Sequence, residues 1–135
     1  DVLRECLDVK QLNSREDRRK LAYTYSRLAR MLSEQGITVV VATIALFKEI
    51  HTWNRENIDG YFEVFLDVPI EELKRRDPKG LYKRYFDGQI KDVAGLDIQV
   101  DFPSHPNVLI SFTSEQTPEM VLKKVLDEFI KTNKK

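Results

Sequence analysis

The run ITVVVATI at 37–44 constrains the fold more than any other stretch, because β-branched residues follow one another there without polar alternation. A strand covered on one face alternates, whereas an unbroken apolar run suits a parallel strand covered on both. The flanking segments agree with that reading. Between Ser14 and Gln35, the residues Leu21, Tyr25, Leu28, Ala29 and Leu32 recur on one face of an amphipathic helix. Ser14 with Asp17 three residues on gives an N-cap signal, and Gly36 a stop. Residues 46–58 read as a second helix and YFEVFLDV, 61–68, as a second strand. Pro69 opens a helix that must stop before Pro78. A shorter helix around 79–86 ends at Gly88, and 92–106 is a loop carrying Gly95, Pro103 and Pro106. VLISF, 108–112, is a third strand, and 118–132 closes as a helix with Leu122, Val125, Leu126, Phe129 and Ile130 on its apolar face. Helices alternating with apolar strands imply an α/β fold with a mainly parallel sheet, in a single domain over 1–135.

Charge narrows the partners. The 22 basic and 22 acidic side chains cancel, so no large single-sign field exists to draw in nucleic acid or a membrane surface. Cys6 is the only cysteine, which excludes an intramolecular disulfide and a cysteine-based zinc site. His51 and His105 lack the close spacing of a metal pair. The longest apolar run, Ile37 to Phe47, is about half the ~20 residues that a membrane span needs. No signal segment opens the chain, so the expected compartment is the cytoplasm. Residue 1 is not Met and the text begins within what reads as a helix, so a piece is expected upstream.

Chemistry is expected beyond the carboxyl ends of the strands, where open α/β sheets bind ligands. Asp67 ends the second strand and reads equally as a site carboxylate or a helix cap. The segment 75–91 is more informative. It carries Arg75, Arg76, Lys79, Lys83, Arg84 and Lys91, interleaved with Tyr82, Tyr85 and Phe86. Such a run is either a solvated helix face or a mobile cover that brings cations over phosphates. Phosphoryl transfer spreads charge over nonbridging oxygens, which guanidinium and ammonium groups stabilise. Gly80 and Gly88 would serve as hinges. Local physics leaves both readings open.

The stretch RDPKGLYKRYFDGQIK, 76–91, resembles the lid signature of adenylylsulfate kinases, an Arg-Asp-x-Lys-Gly-Leu-Tyr-Lys core followed by Gly-x-Ile-Lys. Asp1-Val2-Leu3-Arg4 resembles the end of that family's Asp-Gly-Asp-x-x-Arg segment, and Ser14-Arg15-Glu16-Asp17-Arg18 its Ser-x-x-Asp-Arg segment. FEVFLDVPIEEL, 62–73, resembles the strand and helix before the lid. The resemblance implies a P-loop NTPase-type parallel sheet flanked by helices, with a lid at about 76–95. The family's P-loop cradles ATP phosphates through backbone amides. No G-x-x-x-x-G-K-[ST] run occurs in these residues, so the N-terminal strand, P-loop and first helix are expected to be absent from this chain, which alone would be inactive.

By the same resemblance the expected activity is ATP-dependent phosphorylation of a ribose hydroxyl on a nucleotide acceptor, by default adenylylsulfate, with ATP and Mg²⁺ taking part and a homodimer possible. Asp1 matches the catalytic acidic residue near Mg²⁺. Arg4 and Arg18 match acceptor-binding arginines, whose planar forks suit sulfate or phosphate, and Ile44 and Lys91 fall on the acceptor side. Arg76, Lys79 and Lys83 match the lid over ATP. Each cation is alternatively a surface ion-pair partner.

The chain departs from the family pattern at Asn13 (typically Phe), Leu21 (Asn), Ala45-Leu46 (Ser-Pro) and Val93-Ala94 (Phe-Thr). Two aromatic faces that could stack on a base are thus lost, each stack contributing roughly 1–3 kcal/mol in nucleic-acid sites. The segment FKEIHTWNRENIDGYFEV, 47–64, resembles a polysaccharide-associated branch that includes a cytidine diphosphoramidate kinase. Trp53 and Arg55 would line its pocket, or Trp53 is core packing. The rivals are therefore the same chemistry on cytidine diphosphoramidate, and a noncatalytic binding module without a P-loop.

Overall fold

The computed structural model describes residues 2–9, 14–44 and 46–133. In chain order its elements are α1 (Val2–Cys6), α2 (Arg15–Ser33), α3 (Lys48–Asn57), β1 (Val64–Asp67), α4 (Ile70–Arg76), α5 (Leu81–Phe86), β2 (Val108–Ser111) and α6 (Pro118–Thr132). They pack as two compact units, Asp1–Ile58 with Lys91–Asp101, and Asp59–Ile90 with Phe102–Lys135.

In the first unit α2 starts where its cap dictates. Ser14 is extended, and its Oγ accepts the Asp17 N–H at 3.1 Å while its hydroxyl donates to Asp17 Oδ2 at 2.8 Å. At the other end the Gly36 N–H donates to the Ser33 carbonyl (2.9 Å) and the Ile37 N–H to that of Leu32 (3.2 Å), the two bonds of a Schellman closure. Ser14→Ala should cost about 1 kcal/mol, read from the midpoint of a urea titration.

The buried face of α2 is Leu21, Ala22 and Ser26, and α3 packs on it through Ile50, with Phe47, Ala22 and Tyr23 completing the cluster. Phe47 cannot cap α3 with its side chain. Asp101 does so from a distant segment. Its Oδ2 accepts the Lys48 N–H (3.3 Å) and Arg15 Nη2 (3.0 Å), and its own N–H donates to the Leu46 carbonyl (2.9 Å).

In the second unit β1 and β2 pair in parallel, in the register Val64↔Val108 to Asp67↔Ser111. Val108 and Ile110 are buried while Leu109 and Ser111 are exposed, the alternation of a strand with one covered face. Helix α6 packs against β2, and Phe62 meets Phe129 edge to face at 5.2 Å. Thr117 caps α6 through the Met120 N–H, with Pro118 in its first turn.

The expected strand at 37–44 is corrected. These residues form no strand, and the run is open to solvent, with Val40 90% and Ile44 78% exposed. Strand propensity measures fit to a pleated surface with neighbours, and no strand among the described residues pairs with this segment. The other elements fall where expected, with the strands shortened to Val64–Asp67 and Val108–Ser111 and Pro69 standing one residue before α4. Among the described residues no helix is long and apolar enough to cross a membrane.

Candidate functional site

In the first unit the site is built on the first turn of α2 and the turn at 91–98. Arg18 Nη2 donates to the Asp92 carbonyl at 2.7 Å, and its Nε is buried with no hydrogen-bond partner among the described residues. Asp92 sits at φ 63, a left-handed conformation that Asp tolerates better than most residues. The Asp97 carboxylate holds that turn, Oδ2 accepting the Asp92 N–H (2.8 Å) and Oδ1 the Val93 N–H (2.6 Å). Desolvation opposes ionisation of Asp97. The backbone N–H donors, helped by the Arg18 charge, outweigh it and hold the carboxyl below its ordinary range. Val93 and Ile98 anchor the turn in the core.

Lys91 is exposed and immediately precedes the residue whose carbonyl Arg18 holds, so these two candidates share one turn. Arg4 lies exposed in α1 and Ile44 is exposed; neither joins the Arg18 turn by a hydrogen bond or ion pair among the described residues. Asp1, Asn13 and Ala45 fall outside the described residues. Two departures from the family pattern acquire a physical meaning. Leu21 and Val93 are buried, 8% and 5% exposed, and serve packing. Trp53 is half-buried and meets Tyr23 edge to face at 6.2 Å. The two rings line a shallow cleft of about 400 Å³ with Lys48, Glu49, Thr52 and Glu56.

In the second unit the basic run forms α4, a turn and α5. Asp77 caps α5, Oδ1 accepting the Tyr82 N–H (3.2 Å) and Oδ2 that of Lys83 (3.0 Å). Gly80, at φ 62, lets the chain turn between the two helices, and Gly88 closes α5 at φ 70. Lys79 and Lys83 are exposed. Arg76 is not simply solvated: its Nε donates to Glu72 Oε1 at 2.6 Å and its guanidinium lies 5.1 Å from the Phe112 ring centroid. Arg75 takes both oxygens of the same carboxylate, at 2.6 and 2.7 Å. Phe112 follows β2, and its N–H donates to the Asp67 carbonyl at 3.0 Å. Arg76 therefore stands at the carboxyl edge of the parallel pair, where α/β sheets receive ligands.

Hydrogen bonds from Arg75 and then Arg76 push the Glu72 carboxyl down from its ordinary 4.5 to about 2. A depressed carboxylate contributes stability that is present above its unfolded value and lost as pH falls through the folded one. The stability that the Glu72 pairs contribute should therefore be complete above about pH 4.5 and be lost as pH falls from there to about 2. The Glu72 side-chain carboxyl carbon, followed by NMR, should titrate with a midpoint near 2. A midpoint at the ordinary carboxylate value would show that the arginines do not hold it.

A metal ion has no cage here: among the described residues no three His, Cys, Asp or Glu side chains converge. Mg²⁺ commonly takes one or two carboxylates plus substrate phosphates, so the side chains described do not themselves define its place. Sequence reasoning missed Glu72, Phe112, Asp97 and Asp101. Glu72 alone carried a local signal, standing three and four residues before two arginines on one helix face.

Residues 1–111 match the adenylylsulphate kinase family. The adenylyl-sulfate kinase of Pseudomonas aeruginosa is 37% identical over 122 residues, 89% of this chain and 61% of that protein. The cytidine diphosphoramidate kinase of Campylobacter jejuni is 34% identical over 128 residues, 93% of this chain and 75% of that protein. The structure of the Mycobacterium tuberculosis APS kinase in complex with AMPPNP and APS superposes with a TM-score of 0.84 at 30% identity, over 95% of this chain and 75% of that one. The chain thus spans about three-fifths of the Pseudomonas relative's length and shares the α/β P-loop kinase fold. It belongs to the adenylylsulfate kinase family.

Proposed function

We propose that these residues carry the acceptor side and lid of an ATP-dependent kinase that phosphorylates a ribose hydroxyl of a nucleotide, by default adenylylsulfate. The observation that carries this reading is the likeness, over 95% of the chain, to a kinase solved with an ATP analogue and adenylylsulfate. Arg18 and Lys91 bind the acceptor's anionic groups, with Arg4 and Ile44 on the same side. Arg76, Lys79 and Lys83 cover the phosphates of ATP. Asp1 would orient the acceptor hydroxyl and help hold Mg²⁺, which when bound would supply charge neutralisation at the ATP phosphates. The phosphate-cradling loop is not among these residues, and the reading assigns them no part of it.

A second acceptor is supported by one comparison and two positions. The cytidine diphosphoramidate kinase aligns over slightly more of this chain than the Pseudomonas relative does, 93% against 89%, at 34% against 37% identity. Leu21 and Val93, where the family pattern has Asn and Phe, are buried apolar packing rather than base-facing groups. Purified full-length protein assayed in parallel on both acceptors separates the two. Saturable turnover of adenylylsulfate sustains the first reading, whereas turnover of cytidine diphosphoramidate alone replaces it with the second.

A further inference from the structure

Glu72 is almost enclosed, its side chain 11% exposed, yet it sits in a basic helix whose arginines are 72% and 50% exposed. One carboxylate facing two guanidiniums leaves a net positive charge. The two arginines use it differently. Arg75 spends Nε and Nη2 on it in a fork, whereas Arg76 gives only Nε. The terminal nitrogens of Arg76 make no hydrogen bond among the described residues, and the guanidinium carbon lies over the Phe112 ring, 5.1 Å from its centroid. A guanidinium tethered at Nε, backed by an aromatic face and free at both terminal nitrogens has the geometry for a bidentate grip on a phosphate. Its position beyond β2 is the edge at which such a ligand arrives.

We propose that Glu72 is a positioning residue for phosphoryl-donor binding: by holding Arg76 at Nε against Phe112, it aims the two free nitrogens at the phosphates of ATP. This rests on the kinase reading above and adds a residue to it. The rival is that Glu72 merely staples α4 through spacings of three and four residues.

The test uses full-length wild type, Glu72→Ala, Glu72→Gln, Arg76→Ala and the Glu72→Ala/Arg76→Ala double variant. The readouts are kcat, KM for ATP and, independent of turnover, the Kd of a nonhydrolysable ATP analogue. Glu72→Ala should raise KM and Kd about tenfold with kcat within about twofold, the mark of lost binding common to ground and transition states. Glu72→Gln, which keeps an acceptor for Nε, should raise them less, by about threefold. In the Arg76→Ala background the loss of Glu72 should add nothing, because Glu72 acts through that side chain. Full additivity, a fall in kcat with KM and Kd unchanged, or tighter binding on removing Glu72 would each overturn the proposal. Wild type that binds the analogue but transfers to no acceptor overturns the kinase reading while the Kd cycle still judges Glu72. Wild type that does not bind the analogue overturns both.

Discussion

Arg18→Ala in the full-length protein is expected to lower kcat/KM for the nucleotide acceptor by about a hundredfold, equivalent to losing a charged hydrogen bond of roughly 3 kcal/mol. Two functions of the side chain are lost together. Its Nη2 no longer holds the Asp92 carbonyl, so the turn that presents Lys91 loses its tie to α2. Its Nε, a buried donor with no hydrogen-bond partner among the described residues, is no longer there for the anionic groups of the proposed acceptor. Arg18→Lys should recover only a small part, because an ammonium restores charge but not the planar fork. Steady-state kinetics over a range of acceptor concentrations decide the matter, with circular dichroism to confirm that α2 persists. An Ala variant of unchanged kcat/KM would reduce Arg18 to a latch between α2 and the turn at 91–98.

The largest stability effect is expected at Ile50, 3% exposed in the cluster of Ala22, Phe47 and Tyr23. Ile50→Ala removes methyl and methylene groups from the place where α3 meets α2, and the helices close over the gap only partly. A cost of about 3 kcal/mol follows, a large share of the 5–15 kcal/mol that holds a typical protein folded. Urea unfolding should show a lower midpoint at unchanged slope. A loss under about 1 kcal/mol would mean that the cluster does not hold the two helices together.

Local signals were legible and long-range ones were not. Ser14, Gly36, Pro69, Pro78 and Gly88 set helix limits through their own backbone chemistry, so α2, α4 and α5 fall close to where the sequence places them. The lid run was legible as a string of cations, but its organisation was not. Phe112 lies far along the chain from Arg76, and only folding brings ring and guanidinium together. The same holds for Asp101, which pairs with Arg15 across 86 residues and caps a helix whose own first residues hold no capping side chain. The run at 37–44 failed for the complementary reason. Its composition states which surroundings would suit it, and composition cannot create them. Leu21 and Val93 read as lost ligand contacts when set against a motif, and as core once their burial is known.

The proposed function requires phosphoryl transfer from ATP to a ribose hydroxyl. Its most direct test is to incubate full-length protein with ATP labelled in the γ-phosphate and each candidate acceptor, and to locate the label in the products. Label is expected on a ribose hydroxyl of the nucleotide, dependent on acceptor and about a hundredfold slower to appear with Arg18→Ala. Label found only as inorganic phosphate, or none leaving ATP with either acceptor, would contradict it.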